Sequence, residues 1–323
     1  MTQENKKPTL EVNNLSVNFV NRRGDLAALR DVNMRIFPGE ILGVVGESGA
    51  GKSLTGSAIT GLLESPGEIV GGSVYLEGKR IDTLDQESRH RLRGKEIGVI
   101  FQDPLTSLNP VLTIGAQLIE TIRTHLPLSK EQAREKAISL MQEVGIPAPE
   151  TRIDHYPHQF SGGMRQRVVI ALALCVEPKV IIADEPTTAL DVSVQAQVLQ
   201  LLKKLCAEHR ASVMIITHDM GVIAEICDRV AVMYAGRVVE CGPVQTVLQQ
   251  PSHPYTLGLM AAIPKIGHRK ERLYQIDGSM PRLNAIPDGC SFHPRCERAT
   301  AECKQTVPQT KVVDGAEIAC HLY

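Results

Sequence analysis

The sequence is poor in aromatic residues: its 323 residues include no tryptophan, five phenylalanines and six tyrosines. Proteins that bind single-stranded nucleic acid stack bases on such side chains, and few are available here for that purpose. The chain also lacks a basic excess, because 35 lysines and arginines face 36 acidic residues, for a formal net charge of −1. Both deficits argue against a nucleic acid partner.

Long apolar runs are missing as well. None reaches the roughly 18 residues that mark a candidate membrane-spanning helix. The N-terminal stretch Met1–Pro8 is polar and lacks the apolar core of a signal peptide. We therefore expect a cytoplasmic protein that does not itself span the membrane. In that reducing compartment the eight cysteines are not expected to form disulfides.

Short apolar runs alternate with helical patterns along the chain. Apolar residues alternate with polar ones over Leu10–Phe19, which predicts a strand. Three short apolar runs suit buried parallel strands: Ile41–Val45, Val180–Ala183 and Val213–Ile216. Strand runs separated by helices predict an α/β fold with a largely parallel core sheet.

Two segments depart from this alternation. Ser129 and Gln132 form a capping-box pattern, apolar residues follow at helical spacing, and Gly145 ends the helix. This segment predicts a helical subdomain at about 104–176, inserted between strands of a main domain at 1–250. Proline and cysteine become frequent from about residue 251. Residues 251–323 are therefore predicted to form a C-terminal appendage.

Gly46–Ser53 fits the pattern G-x-x-x-x-G-K-[ST], after a strand run and before a helix, which is the context the motif requires. Its backbone N–H groups would surround the phosphates of ATP, Lys52 would reach the β- and γ-phosphates, and Ser53 would bind Mg²⁺. The alternative is a glycine-rich turn with a solvated lysine. The predicted nucleotide ligands are Gly46, Ser48, Gly49, Ala50, Gly51, Lys52, Ser53 and Leu54.

Two further segments bear on the chemistry of ATP. The run Val180–Ala183 ends in Asp184 and Glu185, which could hold Mg²⁺ and polarise the attacking water, respectively. Ser161, Gly162 and Gly163 precede an apolar helix and offer a second set of N–H donors for an anion. A head-to-tail dimer needs such a second set, because each subunit then closes the nucleotide site of the other. The alternatives are solvated acids and an ordinary loop.

Together with Gln102, Asp191 and His218, these motifs occur in an order and spacing that resemble the ABC ATPase cassette over roughly residues 10–245. The resemblance implies antiparallel N-terminal strands beside the core sheet. It implies that Gln102 touches Mg²⁺ and senses the transmembrane partner, that His218 contacts the γ-phosphate and that Asp191 communicates across the dimer. Phe19 would stack on adenine, although a lone aromatic residue in an early strand also suits a core position.

Three segments, Asp103–Pro110, Tyr156–Val168 and His253–Thr256, resemble the dipeptide and oligopeptide importer branch of that family. The resemblance implies a peripheral subunit on the cytoplasmic face of the bacterial inner membrane. Its partners would be a related but different ATPase chain, two transmembrane permease subunits and an external solute-binding protein that acts through them. Nickel, metal chelates or other small solutes are the alternative cargo.

Other members of the wider family act outside transport, and the sequence argues against each class. ATPases of DNA repair and chromosome organisation carry long coiled coils, and translation-linked members carry two cassettes in one chain. Neither feature occurs here. A module that only holds ATP would not need Glu185 and His218.

Four cysteines in the appendage, Cys290, Cys296, Cys303 and Cys320, have the spacing C-x5-C-x6-C-x16-C. Because the appendage has few periodic apolar elements, it is expected to need a stabilising crosslink. Thiolates bound to a metal would supply one. Four thiolates suit Zn²⁺ or an iron–sulfur cluster, and the family resemblance favours [4Fe–4S]. His293 and His321 could substitute in a zinc site, and four free thiols are the third possibility. The other four cysteines have no ligand spacing.

Overall fold

The computed structural model of the chain describes residues 7–22, 24–188, 190–263 and 274–323. Ala189, between Thr188 and Leu190, and most of the polar N-terminus, Met1–Lys6, lie outside the described residues. The chain divides into two compact units. The first unit comprises Met1–Thr9, Phe37–Glu40 and Thr83–Ile215, and the second comprises Leu10–Ile36, Ile41–Asp82 and Ile216–Tyr323.

The second unit begins with a four-stranded antiparallel sheet in the order β2-β1-β4-β5. Its strands are β1 (Leu10–Phe19), β2 (Leu26–Ile36), β4 (Gly67–Leu76) and β5 (Lys79–Arg80). In β1 the alternate residues Leu10 and Val12, and then Leu15 and Val17, are buried. The alternation predicted for this strand is therefore confirmed, because one face of the sheet packs against the core.

A second set of strands in this unit runs in the order β11-β12-β10-β9-β3. These are β3 (Ile41–Val45), β9 (Arg229–Tyr234), β10 (Arg237–Pro243), β11 (Thr310–Val313) and β12 (Ala316–Ala319). β3 and β9 are parallel, whereas the remaining pairs are antiparallel. The helices of the unit are α1 (Lys52–Thr60), α9 (Met220–Ile226), α10 (Val244–Gln249), α11 (Pro254–Ala262) and α12 (Ala301–Gln305).

The first unit contains three strands in the order β8-β7-β6: β6 (Ile97–Ile100), β7 (Val180–Asp184) and β8 (Ser212–Ile216), whose last residue, Ile216, is assigned to the second unit. Its helices are α2 (Gln86–Lys95), α3 (Pro104–Ser107), α4 (Ile114–His125), α5 (Lys130–Glu143), α6 (Pro149–Arg152), α7 (Gly162–Leu174) and α8 (Val192–Glu208). Five of these helices, α3 to α7, lie between β6 and β7 in the chain. The insertion of helices between strands, predicted from the sequence, is confirmed.

Local signals set the ends of α5. The Ser129 hydroxyl accepts from the Gln132 N–H at 3.2 Å, and the Gln132 side chain accepts from the Ser129 N–H at 2.9 Å. This reciprocal pair satisfies two N–H groups that a helix start otherwise leaves open. At the other end Gly145 has a φ of 75°, which a glycine adopts at little cost. The predicted helix is confirmed at both ends.

The C-terminal residues pack into a core that they share with the rest of the second unit. β12 pairs with β10 through Glu240 opposite Ile318. Ile318, Phe292 and Ile276 are buried in one apolar cluster with Tyr234 and residues of α10 and α11. The hydrophobic residues of this segment thus join the core of the second unit, and the expected metal-bound thiolates stay a prediction. The α/β class is confirmed.

Candidate active site

The phosphate-loop segment Gly46–Ser53 connects β3 to α1 in the second unit. Gly46 and Gly51 have φ values of 152° and 101°. A Cβ at Gly46 would lie 2.2 Å from the Met233 carbonyl oxygen, and one at Gly51 would lie 2.7 Å from Leu29. The loop path therefore requires glycine at both positions.

The surface of this loop suits an anion. Ser48, Gly49 and Ser53 are exposed, whereas Ala50 is buried and Leu54 half-buried. The open loop and the first N–H groups of α1 lie where a phosphate can reach them.

Lys52 is 7% exposed, and its ammonium donates to the carbonyl oxygens of Gly46 at 2.8 Å and Glu47 at 3.1 Å. The loop itself thus aims the lysine.

Two more predicted residues lie in the same unit. The Thr217 N–H donates to the Val44 carbonyl at 3.1 Å, so the exposed His218 that follows lies at the end of β3 where the phosphate loop begins. Phe19 ends β1 and is half-buried. A Cβ added at Gly67 would lie 3.4 Å from its ring. Because Phe19 is only half-buried, part of the ring remains open for stacking.

The first unit brings Gln102 and Glu185 together. The Gln102 side-chain amide donates to the Glu185 carboxylate at 3.0 Å, and the Thr188 hydroxyl donates to the same oxygen at 2.8 Å. Glu185 has a φ of 46°, which is uncommon for a residue with a side chain and marks a constrained position. Asp184 is half-buried at the end of β7. Sequence analysis missed Thr188, whose only signal was a hydroxyl three residues after the glutamate.

The Ser161–Gly163 segment forms the start of α7. Ser161 is the N-cap, and its hydroxyl accepts from the Met164 N–H at 3.4 Å. A Cβ at Gly163 would lie 2.6 Å from Val194, so a glycine is required where α7 approaches the start of α8. Ser161 and Gly162 are exposed. The predicted anion donors are therefore available to a partner.

Asp191 caps α8 beside this segment. Its carboxylate accepts from the Val194 N–H at 3.0 Å and the Ser193 hydroxyl at 2.8 Å. These hydrogen bonds hold the pKa of the Asp191 carboxyl below its usual value. The helix starts of α7 and α8 are thus both exposed in one region of the first unit.

The predicted nucleotide residues fall into two groups by unit. The second unit carries Phe19, Gly46–Leu54 and His218. The first unit carries Gln102, Ser161–Gly163, Asp184, Glu185 and Asp191.

The four C-terminal cysteines line one small cavity in the second unit, together with His253, His293 and His321. Cys303 and Cys320 are buried, and Cys290 and Cys296 are half-buried. Burial, with a smaller contribution from the neighbouring cysteines, raises the pKa of the Cys290 thiol to about 11. The sequence pattern thus identified side chains that the fold does bring together.

These side chains are not arranged as the ligands of one ion. The cavity is about 10 Å³, room for about one water. Among the described residues, no three His, Cys, Asp or Glu side chains form a group that could hold a metal ion. A tetrahedral zinc site with sulfur ligands about 2.3 Å from the metal needs closer and more regular spacing. The expected metal centre is therefore not formed by the thiols as they stand.

The remaining cysteines have no such grouping. Cys175, Cys206 and Cys241 are buried and Cys227 is half-buried. Burial raises the pKa of the Cys175 and Cys206 thiols to about 12, so both are unreactive core residues. Within the described residues, no helix combines the length and apolar character needed to cross a membrane.

Two family models match the chain. The model described as ABC transporter matches residues 29–188, and the model described as Oligopeptide/dipeptide transporter, C-terminal region, matches residues 239–303. The first match spans the phosphate loop, Gln102, the Ser161–Gly163 segment and Glu185. The second spans three of the four clustered cysteines.

Curated relatives match over almost the full chain. The oligopeptide transport ATP-binding protein OppD of Salmonella typhimurium is 47% identical over 96% of this chain and 92% of its own length. The oligopeptide transport ATP-binding protein AppD of Bacillus subtilis is 46% identical over 97% and 96%. The dipeptide transport ATP-binding protein DppD of Haemophilus influenzae is 43% identical over 97% and 94%.

Solved structures match the cassette part. The ATP-binding cassette MJ0796, in a dimeric post-hydrolysis state bound to ADP and Pi, superposes with a TM-score of 0.65 at 30% identity. The match covers 73% of this chain and 98% of that one. The structure of cbiO1 from Clostridium perfringens also has a TM-score of 0.65, at 30% identity, over 76% of this chain and 92% of its own.

Proposed function

The chain belongs to the ATP-binding subunits of the oligopeptide and dipeptide ABC transporters, and from this premise we propose that it hydrolyses ATP to drive peptide import. One observation carries the proposal: relatives named for peptide transport match both the cassette and the C-terminal region. We further propose the division into a cassette at 1–250, with a helical subdomain at about 104–176, and a C-terminal domain at 251–323.

The roles of the nucleotide residues follow from their chemistry. Lys52 and the loop N–H groups bind the phosphates, and Phe19 stacks on adenine. Ser53, Gln102 and, through water, Asp184 would hold Mg²⁺ with the oxygen ligands that this ion prefers, and the bound ion would offset charge on the phosphates.

Hydrolysis needs a group that polarises water. Glu185 serves this role, oriented by the hydrogen bonds from Gln102 and Thr188. His218 contacts the γ-phosphate.

The working unit pairs two cassettes, with Ser161–Gly163 of one closing the phosphate site of the other and Asp191 communicating between them. The partner cassette is a related but different chain. Two permease subunits form the membrane path, an external solute-binding protein delivers cargo to them, and this chain docks on the cytoplasmic face of the bacterial inner membrane. No nucleic acid takes part, in keeping with the net charge of −1.

The cargo class can be tested by ATPase stimulation. The chain is reconstituted with its cognate cassette, permeases and binding protein, and steady-state hydrolysis is measured against di- and oligopeptides and nickel chelates. Peptides are expected to raise the rate. Stimulation by nickel chelates alone would reject peptide import and favour the metal-chelate alternative.

The four C-terminal thiols fit a metal centre by donor type. Four cysteines around one cavity match the ligand set of [4Fe–4S] or zinc. His253 lines the same cavity and is fully buried. Its Nδ1 accepts from the Tyr255 N–H at 3.1 Å, which leaves the proton on Nε2, and Nε2 has no hydrogen-bond partner in the described structure.

A cluster sulfur would satisfy that buried donor. We therefore propose a structural [4Fe–4S] cluster held by Cys290, Cys296, Cys303 and Cys320, with zinc as the alternative. Either requires the thiols to regroup on loading. The short elements that carry them allow this, since only Cys303 lies within a helix and none within a strand.

Metal content tests this proposal. Protein purified anaerobically is expected to be brown and to contain about four iron atoms and about four acid-labile sulfides per chain. Cys303→Ser is expected to lose the colour, whereas the control Cys227→Ser, outside the cavity, keeps it. Colourless protein with stoichiometric zinc would reject the cluster, and folded, metal-free protein with four reactive thiols would reject both.

A further inference from the structure

The second residue of the phosphate loop, Glu47, is bound by the C-terminal region. The Arg295 guanidinium donates to both carboxylate oxygens of Glu47, at 2.7 and 3.1 Å. The Glu47 N–H donates to the Tyr255 hydroxyl at 2.8 Å. Both the backbone and the side chain of Glu47 are thus held by residues more than 200 positions further along the chain.

Arg295 is itself fixed in one orientation. Its side chain is 6% exposed. Its Nε donates to the Asp277 carbonyl at 2.8 Å, and its guanidinium lies 5.8 and 6.0 Å from the ring centres of Tyr234 and Phe292. A planar guanidinium held in this way donates two parallel hydrogen bonds to one carboxylate. A lysine could not form this bidentate pair.

The charge of Glu47 gives the pair a consequence for ATP. A carboxylate within a phosphate-binding loop repels the phosphates unless a cation offsets it. Glu47 also offers its carbonyl to the Lys52 ammonium. Arg295 therefore both neutralises the carboxylate and keeps the loop backbone in the shape that aims Lys52.

We propose that Arg295 is a positioning residue for ATP binding, through which the C-terminal region sets the shape and charge of the phosphate loop. The proposal for Arg295 rests on the ATP-binding role proposed for the phosphate loop. The residue that follows is Cys296, whose N–H donates to the His293 carbonyl at 3.2 Å, while the His293 N–H donates to the Cys290 carbonyl at 2.9 Å. These backbone hydrogen bonds hold the segment that carries Arg295.

The affinity of the full-length chain for Mg-ATP, measured by isothermal titration calorimetry, tests the proposal. Arg295→Gln is expected to weaken binding about tenfold, the equivalent of one lost charge-assisted hydrogen bond. The double variant Arg295→Gln with Glu47→Gln is expected to recover most of that loss, because the unpaired charge is gone. Arg282→Gln is the matched control, since Arg282 is an exposed arginine of the same C-terminal region that does not line the cysteine cavity, and this variant is expected to bind ATP like the wild type.

Wild-type affinity in Arg295→Gln would overturn the proposal. A double variant that binds ATP as weakly as Arg295→Gln would also overturn it. An arginine that only supports the fold would lower the ATP affinity in a way that Glu47→Gln does not restore. Thermal unfolding of each variant shows whether the fold is intact, and Arg295→Lys, which keeps the charge and loses the fork, is expected to fall between wild type and Arg295→Gln.

ATP binding and hydrolysis by the wild type decide the proposed function separately, since neither depends on these substitutions.

Discussion

Glu185→Gln is expected to lower the ATP turnover of the assembled transporter at least about 100-fold and to leave ATP affinity close to that of the wild type. Glutamine keeps the size of the side chain and can still accept the hydrogen bonds from Gln102 and Thr188. It loses the negative charge that polarises water. The phosphate loop is untouched, so ATP still binds. Steady-state phosphate release and equilibrium ATP binding measure the two effects.

A matched control lies at the other end of the same strand. Glu177 precedes β7, has a similar left-handed backbone with φ of 56°, and forms an ion pair with Lys136 at 3.0 Å. Glu177→Gln is expected to keep full turnover, because an exposed ion pair contributes no more than about 1 kcal/mol to stability. Near-normal turnover in Glu185→Gln would reject the role of Glu185.

Ser161→Arg is expected to reduce hydrolysis by the assembled transporter about 100-fold or more, the cost of removing positioned anion donors. The arginine side chain would fill the space at the start of α7 where the phosphate of the partner site is proposed to lie. The lone subunit should bind ATP as before, since its own phosphate loop is unchanged. Hydrolysis by the assembly and ATP binding by the isolated chain are the two measurements.

Ser129→Arg provides the control. Ser129 is also an exposed N-cap serine in the first unit, so its replacement introduces the same charge and the same loss of a cap, about 1 kcal/mol. It is expected to hydrolyse ATP normally. Loss of ATP binding by the lone Ser161→Arg subunit would show that Ser161 serves its own nucleotide site.

Features encoded by neighbouring residues could be predicted from the sequence. The capping box fixed the start of α5, and the glycines of Gly46–Ser53 predicted a loop that the structure builds with left-handed backbone at Gly46 and Gly51. The strand runs were recognised because a buried parallel strand must be apolar throughout. In each case the physical cause lies within a few residues.

Features that depend on pairing distant segments could not be predicted. The contact of Arg295 with Glu47 spans 248 positions, and neither residue carries a local signal for the other. The pairing of β12 with β10 likewise brings the C-terminal residues into a core that periodicity could not reveal. Four cysteines could be recognised as a set, but their spacing around the cavity is decided by the loops between them.

Uptake of a labelled oligopeptide into proteoliposomes is the most direct test of peptide import driven by this chain. The vesicles contain the permeases and both cassettes, the binding protein and peptide are on one side, and ATP is on the other. We expect accumulation that requires ATP and falls to background when Glu185→Gln replaces the wild-type chain. ATP-dependent accumulation that is equal with the Glu185→Gln chain, or no peptide uptake by an assembly that hydrolyses ATP, would contradict it.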